Sequence, residues 1–269
     1  MASFSVVNNI ASVNAQANLV GTQMGLNKAL TRLSSGFRIN YAGDDAAGLA
    51  VANTYRSDIA VLTQGIRNAN DGLSDLQIKD GALNNISTLL DRLSTLATQA
   101  ASGGTQASSY ATLDAEFQKV LAEIDREAGV ATLTAATSSF SVYLSNAGGS
   151  NSVVSGTFGA ADTTGLAIVG QKVDTLANAK LAVAAVKTAI GKLGDVQGAV
   201  GTLENRLQFA ISLSQSQIVN NRAAESRIRD ANIAEESANM TRFNILSQSG
   251  IAALSQANQT SASVLALLR

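Results

Sequence analysis

Few residues in this chain are equipped for chemistry. It has no histidine and no cysteine. That removes the commonest general base and metal ligand, thiol nucleophiles, disulfides, and Cys-ligated zinc or iron–sulfur centres. Asp44 and Asp45 are adjacent carboxylates. Such a pair can take a cation, but ahead of a helical run it caps free backbone N–H groups and suits the positive end of the helix dipole. The cap is the reading adopted. Arg38 and Arg67 are read as structural polar contacts, at a turn or between chains, rather than anion sites. Three Asn-X-Ser/Thr triplets occur, at Asn85, Asn239 and Asn258. No phosphate loop or dinucleotide fingerprint is present. No catalytic or metal-ligating residue and no cofactor is therefore expected.

The elements around these residues are helical. Residues 30–36 end a helix, with Gly36 suited to the left-handed position past its last turn. Residues 37–43 make a polar turn, and Asp44-Asp45 start a second helix. In that helix Ile59, Leu62, Ile66, Ala69, Leu73 and Leu76 are spaced 3-4-3-4-3. Leu83, Ile86, Leu90, Leu93, Ala97 and Ala100 repeat the spacing, and the register slips between the two sets, around Asp80-Gly81. A stripe this long is a seam that needs a partner helix. Residues 59–100 as one helix would run roughly 63 Å. A compact globule of this chain length is only about 45–50 Å across. The fold class expected is therefore mainly α: an elongated antiparallel helical bundle or coiled-coil rod, with a small β-hairpin region at mid-chain.

Composition agrees. The chain is 46% hydrophobic, only 4% aromatic, and has no proline, which suits long helices packed through small side chains. Net charge is −1, so there is no basic field to attract nucleic acid. No run of about 20 apolar residues would span a bilayer, and no leader-like segment follows Met1. Residues 1–43 contain Lys28, Arg32 and Arg38 but no acid. Residues 237–269 contain Arg242 and Arg269 but no acid. The two ends are thus charge-poor, with aliphatic residues to spare.

In order, residues 1–43 hold a first helix, with Ile10, Val13, Ala17, Val20 and Met24 on one face and Leu26, Leu30 and Leu33 on another. Residues 44–128 hold the seam helix and a shorter one over 108–128, separated by a break at 102–105. Residues 129–170 are rich in Ser, Thr and Gly, and strand-like alternation at 140–144, 152–158 and 166–169 predicts one or two hairpins. Helix returns near Lys172. Val173, Leu176, Leu181, Val183, Val186 and Ile190 lead into a second regular stripe, Leu193, Val196, Val200, Leu203, Leu207 and Ala210. A charge-poor end carries Ile245, Leu246, Ile251, Leu254, Leu265 and Leu268. The simplest packing pairs the two stripes antiparallel and sets the chain ends side by side.

Several blocks now carry a resemblance. They are Leu33-Ser34-Ser35-Gly36-Phe37-Arg38-Ile39-Asn40, Asp44-Asp45-Ala46-Ala47-Gly48 and Arg67-Asn68-Ala69-Asn70-Asp71-Gly72. Near the other end stand Glu204-Asn205-Arg206-Leu207, Ser226-Arg227-Ile228-Arg229-Asp230-Ala231 and Gln256-Ala257-Asn258-Gln259, with Leu265 to Arg269 last. In this order and position they resemble the bacterial flagellins, in a short form with a reduced outer domain. A hook–filament junction protein, which shares similar ends, is the related alternative; an enzyme or small-molecule binder is the contrasting one.

The resemblance implies a structural subunit that self-assembles into the helical flagellar filament used for swimming. Residues 1–43 and 237–269 would form the inner core, 44–128 and 171–236 the outer core, and 129–170 a small cap. Self-association would fall to Ile10, Val13, Val20, Leu26, Leu30, Leu33, Ile245, Leu246, Ile251, Leu254, Leu265 and Leu268. Gly36, Arg38, Asp44, Asp45, Arg67 and Asn68 would build the turn and its polar contacts. Implied partners are other copies of the chain, an export chaperone, the flagellar secretion apparatus, and cap and junction proteins; the implied location is extracellular. An innate immune receptor face would fall on Arg92, Leu96 and Glu116, although Ser94 and Thr95 stand where the family usually has charge. The asparagine triplets are read as chance in such a protein. Both chain ends are expected to be disordered in the free monomer and to fold on assembly.

Overall fold

The computed structural model describes residues 9–102, 106–145 and 152–267. The element order is α1 (Ile10–Ser35), α2 (Ala46–Ala100), α3 (Ala107–Val130), β1 (Thr137–Tyr143), β2 (Val153–Gly159), α4 (Leu176–Arg229) and α5 (Ile233–Leu267). The chain divides into two compact units. One combines residues 1–57 with 221–269; the other is residues 58–220. The mainly α architecture with one small antiparallel sheet is as expected.

The 58–220 unit is built on an antiparallel pair formed by α2 and α4. Its direction follows from the hairpin. Leu144 lies over Gly65, and Val142 and Phe140 lie over Gly72, so β1 runs against α2. Gly156 faces Leu203 and Gly159 faces Val196, so β2 runs against α4. Because β1 and β2 are themselves antiparallel, with Phe140 opposite Gly156, α2 and α4 must be antiparallel too.

The seam is more continuous than the aliphatic residues alone suggest. On α2 the positions at 3-4 spacing are Leu62, Gly65, Ala69, Gly72, Leu76, Lys79, Leu83, Ile86, Leu90, Leu93, Ala97 and Ala100, nearly all buried. The expected slip at Asp80-Gly81 is absent, and α2 passes through Gly81 unbroken. The slip arises because three inward positions carry no aliphatic side chain. Gly65 and Gly72 lie under the hairpin. Lys79 is only 7% exposed and pairs its ammonium with Asp75 at 2.6 Å, one turn away. Ile66 and Leu73, which looked like seam residues, are half-buried beside it.

On α4 the seam runs Ala179, Ala182, Val186, Ala189, Leu193, Val196, Val200, Leu203 and Leu207. Leu193 onward matches the expected stripe. The earlier part is corrected: Leu176, Leu181 and Ile190 are exposed, and alanines carry the seam.

The helix expected from Lys172 starts at Leu176, and among the described residues there is one hairpin. Residues 166–169 are not a strand. Leu166 and Ile168 are fully buried and Ala167 is exposed, so the alternation is real. Their amides, however, bond back to the carbonyls of Asp162, Thr163 and Thr164, and Ala167 has φ 60°. Burial alternates there without a neighbouring strand to pair with. Part of the expected break at 102–105 lies outside the described residues.

The hairpin and this turn share one core with α2, α3 and α4, through Phe140, Val142, Val154, Phe158, Leu166 and Ile168. Carboxylates of α3 hold the turn: Asp125 accepts from the Thr163 N–H at 2.8 Å, and Asp114 from the Val173 N–H at 2.9 Å. A Cβ on Gly65 would sit 1.8 Å from the Leu144 carbonyl oxygen. Gly65→Ala must therefore push the hairpin off α2, at a cost of about 1–3 kcal/mol. Urea unfolding followed by circular dichroism should show this loss; an unchanged midpoint would contradict the packing described.

Candidate functional site

The other unit brings together residues from opposite ends of the sequence. α1 opens with Asn9, whose side chain accepts from the Ser12 N–H at 3.1 Å. It closes at Gly36, where φ is 74° and the Gly36 N–H reaches the Arg32 carbonyl at 2.9 Å, the left-handed end that glycine favours. α5 packs along α1. The Asn9 side chain donates to the Ala257 carbonyl at 2.8 Å. Gly250 lies against Leu19, Gly25 lies under the Phe243 ring, and Arg32 pairs with Glu236 at 2.9 Å. As one number rises the other falls, so the pair is antiparallel. A Cβ on Gly25 would fall 2.6 Å from the Phe243 ring, so glycine there sets the close approach.

The turn after α1 is clasped to the joint between α4 and α5. Phe37 and Asp230 form an isolated antiparallel bridge. The Arg38 N–H donates to the Arg229 carbonyl at 2.6 Å, and the Ala231 N–H to the Gly36 carbonyl at 2.9 Å. The Arg38 guanidinium donates to the Ile228 carbonyl at 2.7 Å. The Arg229 guanidinium stacks 4.2 Å above the Phe37 ring, an arrangement favoured by the ring's negative face. The blocks 33–40 and 226–231 are thus two halves of one contact, which nothing in either block alone reveals.

The acidic pair divides its work. Asp45 caps α2, accepting from the Gly48 N–H at 2.8 Å. Asp44 accepts from the Asn40 N–H at 3.2 Å and pairs with Lys28 at 2.9 Å. Gly36, Arg38, Asp44 and Asp45 therefore belong to one turn. Arg67 and Asn68 do not. Arg67 contacts Gln64 on the α2 surface, and the Asn68 side chain donates to the Tyr143 carbonyl at 3.2 Å, fastening the hairpin.

Of the residues expected to self-associate, Ile10, Val13, Val20, Leu30, Ile245, Leu246 and Ile251 are exposed. Leu26, Leu33 and Leu254 are half-buried. Met24, at 68% exposure, extends the apolar surface. Leu268 and the side chain of Leu265 lie outside the described residues. On the expected receptor face, Arg92 and Glu116 are exposed and paired across α2 and α3. Leu96 is corrected: it is 2% exposed and belongs to the core that α2 shares with α3 and α4. Among the described residues no group of three or more acids could hold a metal ion, and no helix is long and apolar enough to cross a membrane.

Residues 6–135 match the model of the bacterial flagellin N-terminal helical region, and residues 183–268 that of the C-terminal helical region. Flagellin from Halalkalibacterium halodurans is 34% identical, over 97% of this chain and 98% of that protein. The chain belongs to the bacterial flagellin family. The flagellar filament 33 kDa core protein of Treponema phagedenis is also 34% identical, over 97% and 98%. Bacillus subtilis flagellin is 32% identical over the same shares. Within this flagellin-family chain the two matched regions are the ones that meet at the Phe37–Asp230 clasp.

The turn between α1 and α2 should respond to acid. Lys28, donating to Asp44, holds its carboxyl below the ordinary value, helped by the Asn40 N–H and opposed by burial. A carboxyl with a lowered folded pKa contributes fully above its unfolded value and is lost as pH falls through the folded one. The 1–57/221–269 unit should therefore loosen below about pH 4, and Asp44→Asn should flatten that dependence while lowering stability at pH 7. Thermal melts from pH 7 to 3 check this; parallel curves for the two proteins would contradict it.

Proposed function

We propose that this chain is the structural subunit of a bacterial flagellar filament and polymerises through its α1–α5 pair. The observation that carries the reading is the surface of that pair. Ile10, Val13, Val20, Met24 and Leu30 on α1, and Ile245, Leu246 and Ile251 on α5, are left exposed among the described residues. Residues 1–43 and 237–269 carry no acidic side chain. Large aliphatic side chains exposed in this number on one helix pair favour an interaction site. A helical polymer needs a heterologous contact that does not close. The relatives named above are a flagellin or a filament core protein, which favours the filament subunit over the junction protein.

On this reading residues 1–43 and 237–269 form the inner core of the filament and the remaining helices the outer core. The chain works outside the cell after passing the flagellar secretion apparatus. An export chaperone holds its C-terminal segment, and cap and junction proteins bound the polymer. It performs no catalysis. Arg92 and Glu116 offer the surface that an immune receptor would meet.

Electron microscopy of full-length protein with added filament seeds tests the reading, beside a version lacking residues 1–35 and 240–269. Tubes from the full-length chain only are expected; tubes from both, or from neither, would reject it. We further propose that α1 is ordered by assembly, since an isolated helix leans on packing for its stability. Hydrogen exchange should find the α1 amides fast in the monomer and protected in the polymer. Strong protection in the monomer would sink that idea.

A further inference from the structure

Glu204 on α4 and Asp80 on α2 each come directly after a seam position, Leu203 and Lys79. Both are half-buried. Leu207 lies over Gly72, and the two helices are antiparallel. Glu204, one turn before Leu207, therefore lies beside the α2 turns that lead from Gly72 to Asp80. Every Cα–Cβ bond of a helix tilts toward its N-terminus. In an antiparallel pair that tilt turns these two side chains toward each other.

No cation among the described residues is set against this pair. The residues three and four positions from Glu204 on its own helix are Val200, Gly201, Leu207 and Gln208; those from Asp80 are Leu76, Gln77, Leu83 and Asn84. Lys79 is held by Asp75 at 2.6 Å. The Arg206 guanidinium donates to the Ser155 carbonyl at 2.8 Å. The hairpin strands carry no charged side chain. On α3, Glu116 pairs with Arg92, and Arg126 with Glu123 and Glu127. Asp114 and Asp125 accept from backbone N–H groups, and Lys119 is exposed. Among the described groups Asp80 is the charge that acts on Glu204. Asp80 accepts from the Asn84 amide at 3.3 Å. Glu204 Oε1, by contrast, is shielded from solvent and has no hydrogen-bond partner among the described residues. An ionised oxygen so placed has lost water without gaining a donor, which is costly. A proton on the carboxyl removes both that cost and the repulsion.

We propose that Glu204 is a proton-operated control on the α2–α4 seam: ionised, it opposes the pairing of the helices, and on taking up a proton from solvent it ceases to, so that mild acid tightens the 58–220 unit. This goes beyond the filament reading and holds for the free chain. Burial, and then Asp80, push the Glu204 carboxyl above its ordinary value. A carboxyl raised in this way contributes stability that is fully present below its unfolded value and is lost as pH rises through its folded one. The direction is opposite to that of Asp44, whose lowered value makes the other unit loosen in acid.

Urea unfolding of the full-length chain at about pH 7 and about pH 4, well above and near the ordinary glutamate value, tests this with Glu204→Gln, the neutral isostere. The variant should shift the midpoint upward at the higher pH, and its gap to the parent should close at the lower. Asp80→Asn should shift the midpoint upward at the higher pH in the parent but not in the Glu204→Gln background, because residues that share one interaction are not additive. The Glu204 carboxyl carbon, followed by NMR, should titrate above an ordinary glutamate in the parent and move back toward it in Asp80→Asn. A side chain that only holds the fold would lose stability as glutamine at both pH values. That result, a gap that does not change with pH, or a Glu204 carboxyl titrating at the ordinary glutamate value would each overturn the proposal.

Discussion

Everything in the 58–220 unit depends on the apolar seam between α2 and α4. From Leu62 to Ala100 it spans about 57 Å of helix, and its interior holds almost no polar group. Removing this surface from water is the main favourable term available to a chain with so few aromatics and no cross-links. The seam also dictates where the remaining elements go. Gly65 and Gly72 leave a trough that the hairpin fills with Phe140, Val142 and the Leu144 carbonyl. Lys79 is the one charged side chain admitted, and it is held by Asp75. A lone polar residue in such a seam disfavours other registers, since sliding the helices would strand its charge against aliphatic neighbours.

The 1–57/221–269 unit is held on different terms. Its core is small: among the described residues its buried apolar side chains are Ala29, Ile39 and Ala52. Helices α1 and α5 approach closely through Gly25 and Gly250. Specific polar contacts then do what a larger core does elsewhere: the Phe37–Asp230 bridge, the Arg38 bonds to backbone carbonyls, and the Lys28–Asp44 and Arg32–Glu236 pairs. Such contacts fix geometry more than they add stability. A unit of this kind leaves much of its apolar surface for other molecules. That surface is what a polymerising protein needs, and it accounts for the scarcity of charge at both ends of the sequence.

The sequence by itself determined the helices, their caps and the family. Periodicity, Gly36 and Asp45 are local signals, and each acts within a few residues of where it is read. The second seam from Leu193 to Leu207 was legible for the same reason: every inward position is aliphatic. The first seam was misread because Gly65, Gly72 and Lys79 face inward, while Ile66 and Leu73 mimic the pattern beside them. Only the hairpin lying over those glycines, and a carboxylate one turn from the lysine, make such residues acceptable inside. Alternation at 166–169 likewise signalled burial correctly but not a strand, since a strand needs a neighbour to pair with. The clasp between residues 36–38 and 228–231 was decided by tertiary structure alone. It depends on which distant segments meet, and no local spacing of residue types encodes that.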